Sequence, residues 1–335
     1  MIKGSLKAAS GVVMLLAAGC GIATNSDKFD WKATESAPKN FPIKIIDGTF
    51  IYHGRSDGSG LYVPSGGVIH KGWGEMVSSH IVGPDLKPLP DQLEIKFFSF
   101  LEDQFYEGVF DLPYEKILSL FKEQSINGGP EYHRIMVGVA PGGYVAVWLK
   151  GQIKTTEVFF GRAEPVEGEL MGFGAPIPDR SKYVQLGVES AVDPVVLKRI
   201  REEGVPFDRW ANFRQRYHWK PVFMYGNEPA SGVQIKYFNG EGERLFPPLE
   251  SELVTQTRAI PMFMQFSYRS PEGWAYLYVI HFDETEMMEA FEKLGFHQEP
   301  LQLEFYPHTP YEKTQIRLSN KDESILLKNY LIEDI

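Results

Sequence analysis

Residues 89–121 read LPDQLEIKFFSFLEDQFYEGVFDLPYEKILSLF, and residues 260–291 read IPMFMQFSYRSPEGWAYLYVIHFDETEMMEAF. The two stretches share a physical plan with little literal identity. Proline stands second in each. Apolar residues then take every second position, Leu93, Ile95 and Phe97 in one and Met264, Phe266 and Tyr268 in the other, which is the period of a half-buried strand. A turn follows, then an alternating return strand that ends on Phe110-Asp111 or Phe282-Asp283, where a helix is predicted to begin. Its apolar stripe is Tyr114, Ile117, Leu118 and Phe121 in the first copy and Met287, Ala290, Phe291 and Leu294 in the second, the i, i+3, i+4, i+7 pattern of a one-sided helix. Asp283 and Glu286 have the spacing of a capping box. Independent convergence is the alternative, because strand-strand-helix units are common modules.

The similarity extends past both helices. Asn127-Gly128-Gly129-Pro130 is a strong break, after which Ile135, Val137, Val139 and then Val145, Val147, Leu149 alternate around the turn Pro141-Gly142-Gly143. That pattern predicts a hairpin. In the second copy Leu301, Leu303, Phe305 and Thr314, Ile316, Leu318 flank a turn through residues 307–310. The expected fold class is therefore α+β, with two tandem β-rich repeats, each a mainly antiparallel sheet with one helix packed on it. The first would span 43–165 and the second 218–335. The connector, 166–217, opens with EGELMGFGAPIPDRSKY, a glycine- and proline-rich loop pattern. Asp193-Pro194 then starts a helix that Gly204 ends. That helix carries Lys198, Arg199 and Arg201, and Arg209, Arg214, Arg216 and Lys220 follow. This basic zone could face phosphate headgroups or an acidic partner, or be a solvated face paired with neighbouring carboxylates.

Of 335 residues 43% are apolar, enough for one large or two ordinary domains, and 23 Phe, 16 Tyr and 32 Gly favour short strands and turns. The formal charge is −10. A field of that sign repels nucleic acid and would welcome a basic partner. The single cysteine, Cys20, excludes an intramolecular disulfide. Lys3 and Lys7 form a positive region, residues 8–16 a short apolar core, and Ala17-Ala18-Gly19 stand directly before the cysteine. The core is too short to span a bilayer as a helix. This stretch resembles a bacterial lipoprotein signal, although Leu16 stands four rather than three residues before the cysteine. The alternative is an ordinary secretory leader that happens to contain a cysteine. The resemblance implies a signal peptide over 1–19 and acylation of Cys20. Residues 20–42, polar and without sustained periodicity, read as a tether. Gly21 in place of an aspartate implies, by the same resemblance, the outer membrane, with the protein lipid-anchored on its periplasmic face.

Chemistry is hard to find. Gly54-Arg55-Ser56-Asp57-Gly58 fits the nucleophile elbow of esterases, but no helical pattern follows it, and the elbow works only as a strained strand-to-helix turn. A serine esterase using Ser56 is thus the unfavoured alternative, and no catalytic residue is assigned. The eight histidines show no metal-ligand spacing, so no metal or cofactor is expected. Glu102-Asp103 and Pro271-Glu272-Gly273 are expected at solvated hairpin tips. Trp73, Trp148, Trp210, Trp219 and Trp274 could stack on a ligand or pack in a core, and packing is the better reading.

Trp73-Gly74, Leu89-Pro90, the run Phe105 to Pro113 (FYEGVFDLP) and above all PGGYVAVWLKG at 141–151 resemble a family of bacterial lipoproteins catalogued as a domain of unknown function. The match is strongest through Gly151 and weaker through Phe238-Asn239-Gly240 and FPPL at 246–249. These are strand and turn residues and carry no catalytic role. Some such lipoproteins are encoded beside phospholipase effectors of type VI secretion and look like their immunity proteins. The resemblance therefore implies a periplasmic binding protein, not an enzyme, whose partner is a lipase effector. The alternative is a housekeeping or structural envelope lipoprotein that binds a cell-wall or membrane component.

Overall fold

The computed structural model describes residues 28–333 apart from 79–80, 173, 225–231, 248, 250–252, 270–272, 296–298 and 309–312. The leader and Cys20 lie outside the described residues. In chain order the first elements are β1 (Lys28–Asp30), β2 (Lys32–Ser36), β3 (Ile43–Tyr52), β4 (Gly60–Tyr62), β5 (Val68–Ile69), β6 (Leu86–Pro88), β7 (Pro90–Ser99) and β8 (Gln104–Asp111). Helix α1 (Tyr114–Phe121) leads to β9 (Tyr132–Ala140), β10 (Tyr144–Gly151), β11 (Lys154–Arg162) and β12 (Glu164–Val166). The connector holds β13 (Met171–Gly172), β14 (Ala175–Pro176), α2 (Arg180–Ala191), α3 (Pro194–Glu203) and α4 (Arg209–Asn212). Then come β15 (Arg216–Phe223), β16 (Val233–Tyr237), β17 (Gly242–Leu245), β18 (Gln256–Ala259), β19 (Pro261–Arg269) and β20 (Ala275–Phe282). Helix α5 (Glu284–Gly295), β21 (Leu301–Tyr306), β22 (Gln315–Ser319), β23 (Ser324–Leu326) and β24 (Tyr330–Ile332) complete the chain.

Three sheets carry the mixed α+β fold. The central one has nine strands in the order β2-β9-β10-β11-β17-β16-β19-β20-β24. A six-stranded sheet, β12-β8-β7-β3-β4 with β5 against β3, covers one end of it, and a five-stranded sheet, β18-β15-β21-β22-β23, covers the other. Between the six-stranded and central sheets lies a core of Phe50, Leu93, Ile95, Phe97, Val137, Val145 and Leu149, closed by Ile117 and Phe121 of α1. The second core joins Ile235, Met264 and Ile280 to Leu303, Phe305 and Ile316, closed by Met287 and Phe291 of α5.

Both predicted strand-strand-helix runs form, as do the hairpins β9–β10 and β21–β22. The expected division into two halves with a sheet each does not hold, because the central sheet runs through both, β11 pairing with β17 across the seam. The reason lies in β9 and β10. Ile135, Val137, Val145 and Val147 face the first core while Met136, Ala146 and Trp148 face the second, so this hairpin is covered on both sides. A strand buried on two faces reads as a continuous apolar run, and YVAVWL is one.

The expected tether is also corrected, since its second part is folded. β1 pairs with β6, and β2 runs parallel to β9 at the edge of the central sheet. Trp31 between them is fully buried, its indole N–H donating to the Pro88 carbonyl at 3.0 Å. Hydrophobic periodicity misses β2 because, Ala33 apart, its buried residues are polar and satisfied. The Thr34 hydroxyl donates to the Ser78 carbonyl (2.6 Å), that of Ser36 to the Gly72 carbonyl (2.8 Å), and Ser78 donates to Glu35 (2.8 Å). In the connector the loop pattern hides α2, which has no buried residue and so no apolar stripe to read. Helix α3 forms as predicted: the Asp193 carboxylate accepts from the amides of Val195 and Val196, and Gly204 ends it at φ 88°. Helix α1 starts three residues later than expected, after Leu112-Pro113. The capping box of α5 is half made, Asp283 accepting from the Glu286 amide at 2.9 Å while the Glu286 carboxylate takes the amides of Lys328 and Asn329. No helix among the described residues is long and apolar enough to cross a membrane.

Candidate functional site

A single register line crosses all nine strands of the central sheet. Lys32, Arg134, Lys150, Thr155, Gly242, Lys236, Phe263, His281 and Leu331 are successive partners from β2 to β24. Residues paired in this way project from the same face. Their contacts agree: the Lys236 ammonium sits 5.3 Å from the centre of the Phe263 ring, which meets the His281 ring edge-on at 5.2 Å. One end of the line is cationic and the other apolar.

At the cationic end the side chains of Lys32, Arg134 and Lys150 form no hydrogen bond or ion pair among the described residues, and Arg134 Nε is buried without a partner. Burial lowers the pKa of Lys150, Lys236 and Arg134 push the same way, and only Glu75 opposes them. Glu75 already holds Lys236 at 2.6 Å. Lys150, Glu75, Lys236, Arg244, Gln152 and Gln234 line a cleft of about 220 Å³ at the seam between the halves. One wall is the loop Trp73-Gly74-Glu75, which meets the loop carrying Gly240 backbone to backbone: a Cβ on Gly74 would lie 2.4 Å from Gly240 Cα. Trp148 fixes the same corner, its indole N–H donating to the Asn239 carbonyl at 3.1 Å and its rings crossing those of Trp73 at 83°.

At the apolar end the same face carries exposed hydrophobic side chains. Leu331 is 63% exposed, Leu277 and half-buried Phe263 lie on the same side, and Trp274, just before β20, is 70% exposed. The other four tryptophans considered as ligand platforms, Trp73, Trp148, Trp210 and Trp219, are buried in the cores.

The basic zone of the connector is largely ion-paired. Arg214 holds Glu157 at 2.8 Å, Arg216 holds Glu241, Arg209 holds Glu284, and Lys198 lies 3.9 Å from Glu202. The first two pairs stitch the connector to the seam. Burial raises the pKa of the Glu157 carboxyl against the pull of Arg214. The tip residues expected in solvent have partners too: Glu102 accepts from Tyr106 (2.7 Å) and the Gly142 amide (3.1 Å), and Asp103 pairs with Arg180 at 2.8 Å. Pro271 and Glu272 lie outside the described residues.

Ser56 sits in the exposed loop between antiparallel β3 and β4, which runs into a strand and not a helix. His53 in the same loop hydrogen-bonds Asp91 at 2.7 Å and stacks on Tyr114 at 3.7 Å, tying the loop to the start of α1. Among the described residues no group of three or more His, Cys, Asp or Glu is placed to hold a metal ion.

Sequence reasoning missed the cationic row because its members are scattered and only the register aligns them. A local signal existed: Arg134 and Lys150 are lone charges ending the apolar runs IMVGVA and VAVWL. No curated protein and no solved structure matches the chain. Residues 21–208 match the model of the DUF2931 family, described as a protein of unknown function, and the chain therefore belongs to that family.

Proposed function

We propose that this chain is an envelope lipoprotein that acts by binding: anchored through Cys20 on the periplasmic face of the outer membrane, it neutralises a secreted phospholipase effector by covering it. The observation that carries the reading is the exposed apolar side chains at one end of the central sheet. The solvated face of an antiparallel sheet is ordinarily polar. Here Leu331 is 63% exposed on the same face as half-buried Phe263, beside a 70% exposed Trp274. Exposed tryptophan on an apolar patch is the usual composition of an interface hot spot. The framework beneath is rigid, because the second core fills the opposite face of the same strands. Lys28, the first described residue, follows Cys20 by eight positions, so an acylated chain holds it within about 28 Å of the bilayer.

The two halves are read as a duplicated unit. In each, a strand pairs in parallel with the first strand of the late hairpin, β2 with β9 and β15 with β21, and the order strand-strand-helix-hairpin recurs. The family match covers the first unit and ends before the apolar face, which supports partner choice residing in the second. Binding of an envelope component is the second reading, favoured by the cationic cleft.

The test deletes the gene in cells challenged with the effector and restores wild type, Cys20→Ser, or the pair Trp274→Ala and Leu331→Ala. Wild type rescues, loss of the anchor weakens rescue, and the double substitution abolishes both rescue and capture of the purified effector while leaving the circular-dichroism spectrum unchanged. Equal survival without the protein refutes the reading.

A further inference from the structure

We infer that the seam cleft is a binding site for a phosphate-bearing anion, gripped by Lys150 and Lys236 on its lining, with Arg134 beside Lys150 on the next strand adding to the positive field. Like charges placed opposite one another across strands destabilise a sheet. Lys32, Arg134 and Lys150 are such neighbours on β2, β9 and β10, in a chain whose net charge is −10. None of the three has a hydrogen bond or ion pair among the described residues, and Arg134 Nε is buried with its donor unused. An arrangement this unfavourable to the fold fits a site completed by a counter-ion, because an anion held against Lys150 would offset the repulsion along the row.

The carboxylates of the cleft do not fill that role. Glu75 is paired with Lys236 at 2.6 Å, Glu243 with Arg258 at 2.7 Å and with Tyr237, and Glu241 with Arg216. The cleft, about 220 Å³, is smaller than the roughly 300–1,000 Å³ of pockets for drug-sized molecules. It suits a small charged group. Its wall is fixed by the backbone contact of Gly74 with Gly240, so the cations are held before the ligand arrives. A phosphate group can come from a free phosphate ester or from a lipid headgroup, and β2 follows the expected anchor closely enough for either. The inference stands apart from the effector proposed above, whose contact face is the other end of the sheet.

The test uses the full chain carrying Cys20→Ser, so that no acyl group contributes, and titrates it by calorimetry with inorganic phosphate and glycerol 3-phosphate. Flotation with phosphatidylglycerol vesicles, against phosphatidylcholine vesicles, forms the second arm. Lys150→Gln and Arg134→Gln should each weaken binding about tenfold or more, while Lys198→Gln on α3 leaves it unchanged. Binding of the soluble anions identifies a free phosphate compound, and binding confined to phosphatidylglycerol identifies a headgroup. Because removing a repelling cation should not unfold the sheet, the melting temperature of Lys150→Gln without anion should match or exceed that of the parent. Binding in neither arm, or binding that Lys150→Gln and Arg134→Gln leave intact, overturns the inference.

Discussion

Replacing Gly74 by alanine should destabilise the protein more than the same replacement at Gly128, although the two share almost the same φ. Gly74 has φ 77° and Gly128 φ 78°. Each alanine therefore carries the same penalty for left-handed backbone, about 1–2 kcal/mol. The surroundings differ. Around Gly128 a new Cβ meets nothing within 4 Å, whereas at Gly74 it would stand 2.4, 2.5 and 2.8 Å from the Cα, O and C of Gly240. These are backbone atoms and cannot rotate away, so the loops must separate by roughly 1 Å, the kind of overpacking that costs about 1–3 kcal/mol. Separation also stretches the Trp148–Asn239 hydrogen bond and parts Trp73 from Trp148. The expected losses are about 1–2 kcal/mol for Gly128→Ala and about 2–5 kcal/mol for Gly74→Ala. Urea unfolding followed by tryptophan fluorescence measures both. If the two variants fall within about 0.5 kcal/mol of each other, the loops are not pressed together and the rigid cleft wall is wrong.

Other outcomes follow from single contacts. Asp193→Ala should loosen the first turn of α3 by about 1 kcal/mol, seen as roughly fivefold faster amide exchange at Val195 and Val196. Burial lowers the pKa of His133 below its ordinary 6.5, so the unfolded chain takes up the proton first. The stability this histidine confers is complete above pH 6.5 and is lost as pH falls from there towards its folded value. The difference in unfolding free energy between pH 7.5 and pH 5.5 should therefore be smaller in His133→Gln. Ser56→Ala should leave stability, effector capture and any ester-hydrolysing activity of the preparation unchanged, because the serine stands on an open loop between two strands.

The sequence announces what is local. The alternation of Leu93, Ile95 and Phe97, the Pro-Gly-Gly turn and the Asp193-Pro194 start each depend on a few neighbouring residues, and each appears where expected. Where partners are distant the signal fails. Thr34 and Ser36 look like tether residues until Ser78 and Gly72 accept from their hydroxyls. Helix α2, with no buried side chain, has no stripe to betray it. The candidate site is the extreme case, since Lys32, Arg134, Lys150 and Lys236 come from four separate strands and meet only through pairing register. Cys20 is the reverse, legible in sequence and outside the described residues.

The two-sided burial of β9 and β10 bears on how the protein matures. A chain is made from its amino end, so the hairpin emerges well before Trp210, Phe238 and Phe266, which share a core with the Met136, Ala146 and Trp148 side of it. In that interval a broad oily surface faces water, a natural target for holding chaperones and for mispairing. The second half thus acts as a built-in lid for the first. Neither should survive as a separate fragment, and a cut in the connector that let the halves part would leave two aggregating pieces in place of two working domains.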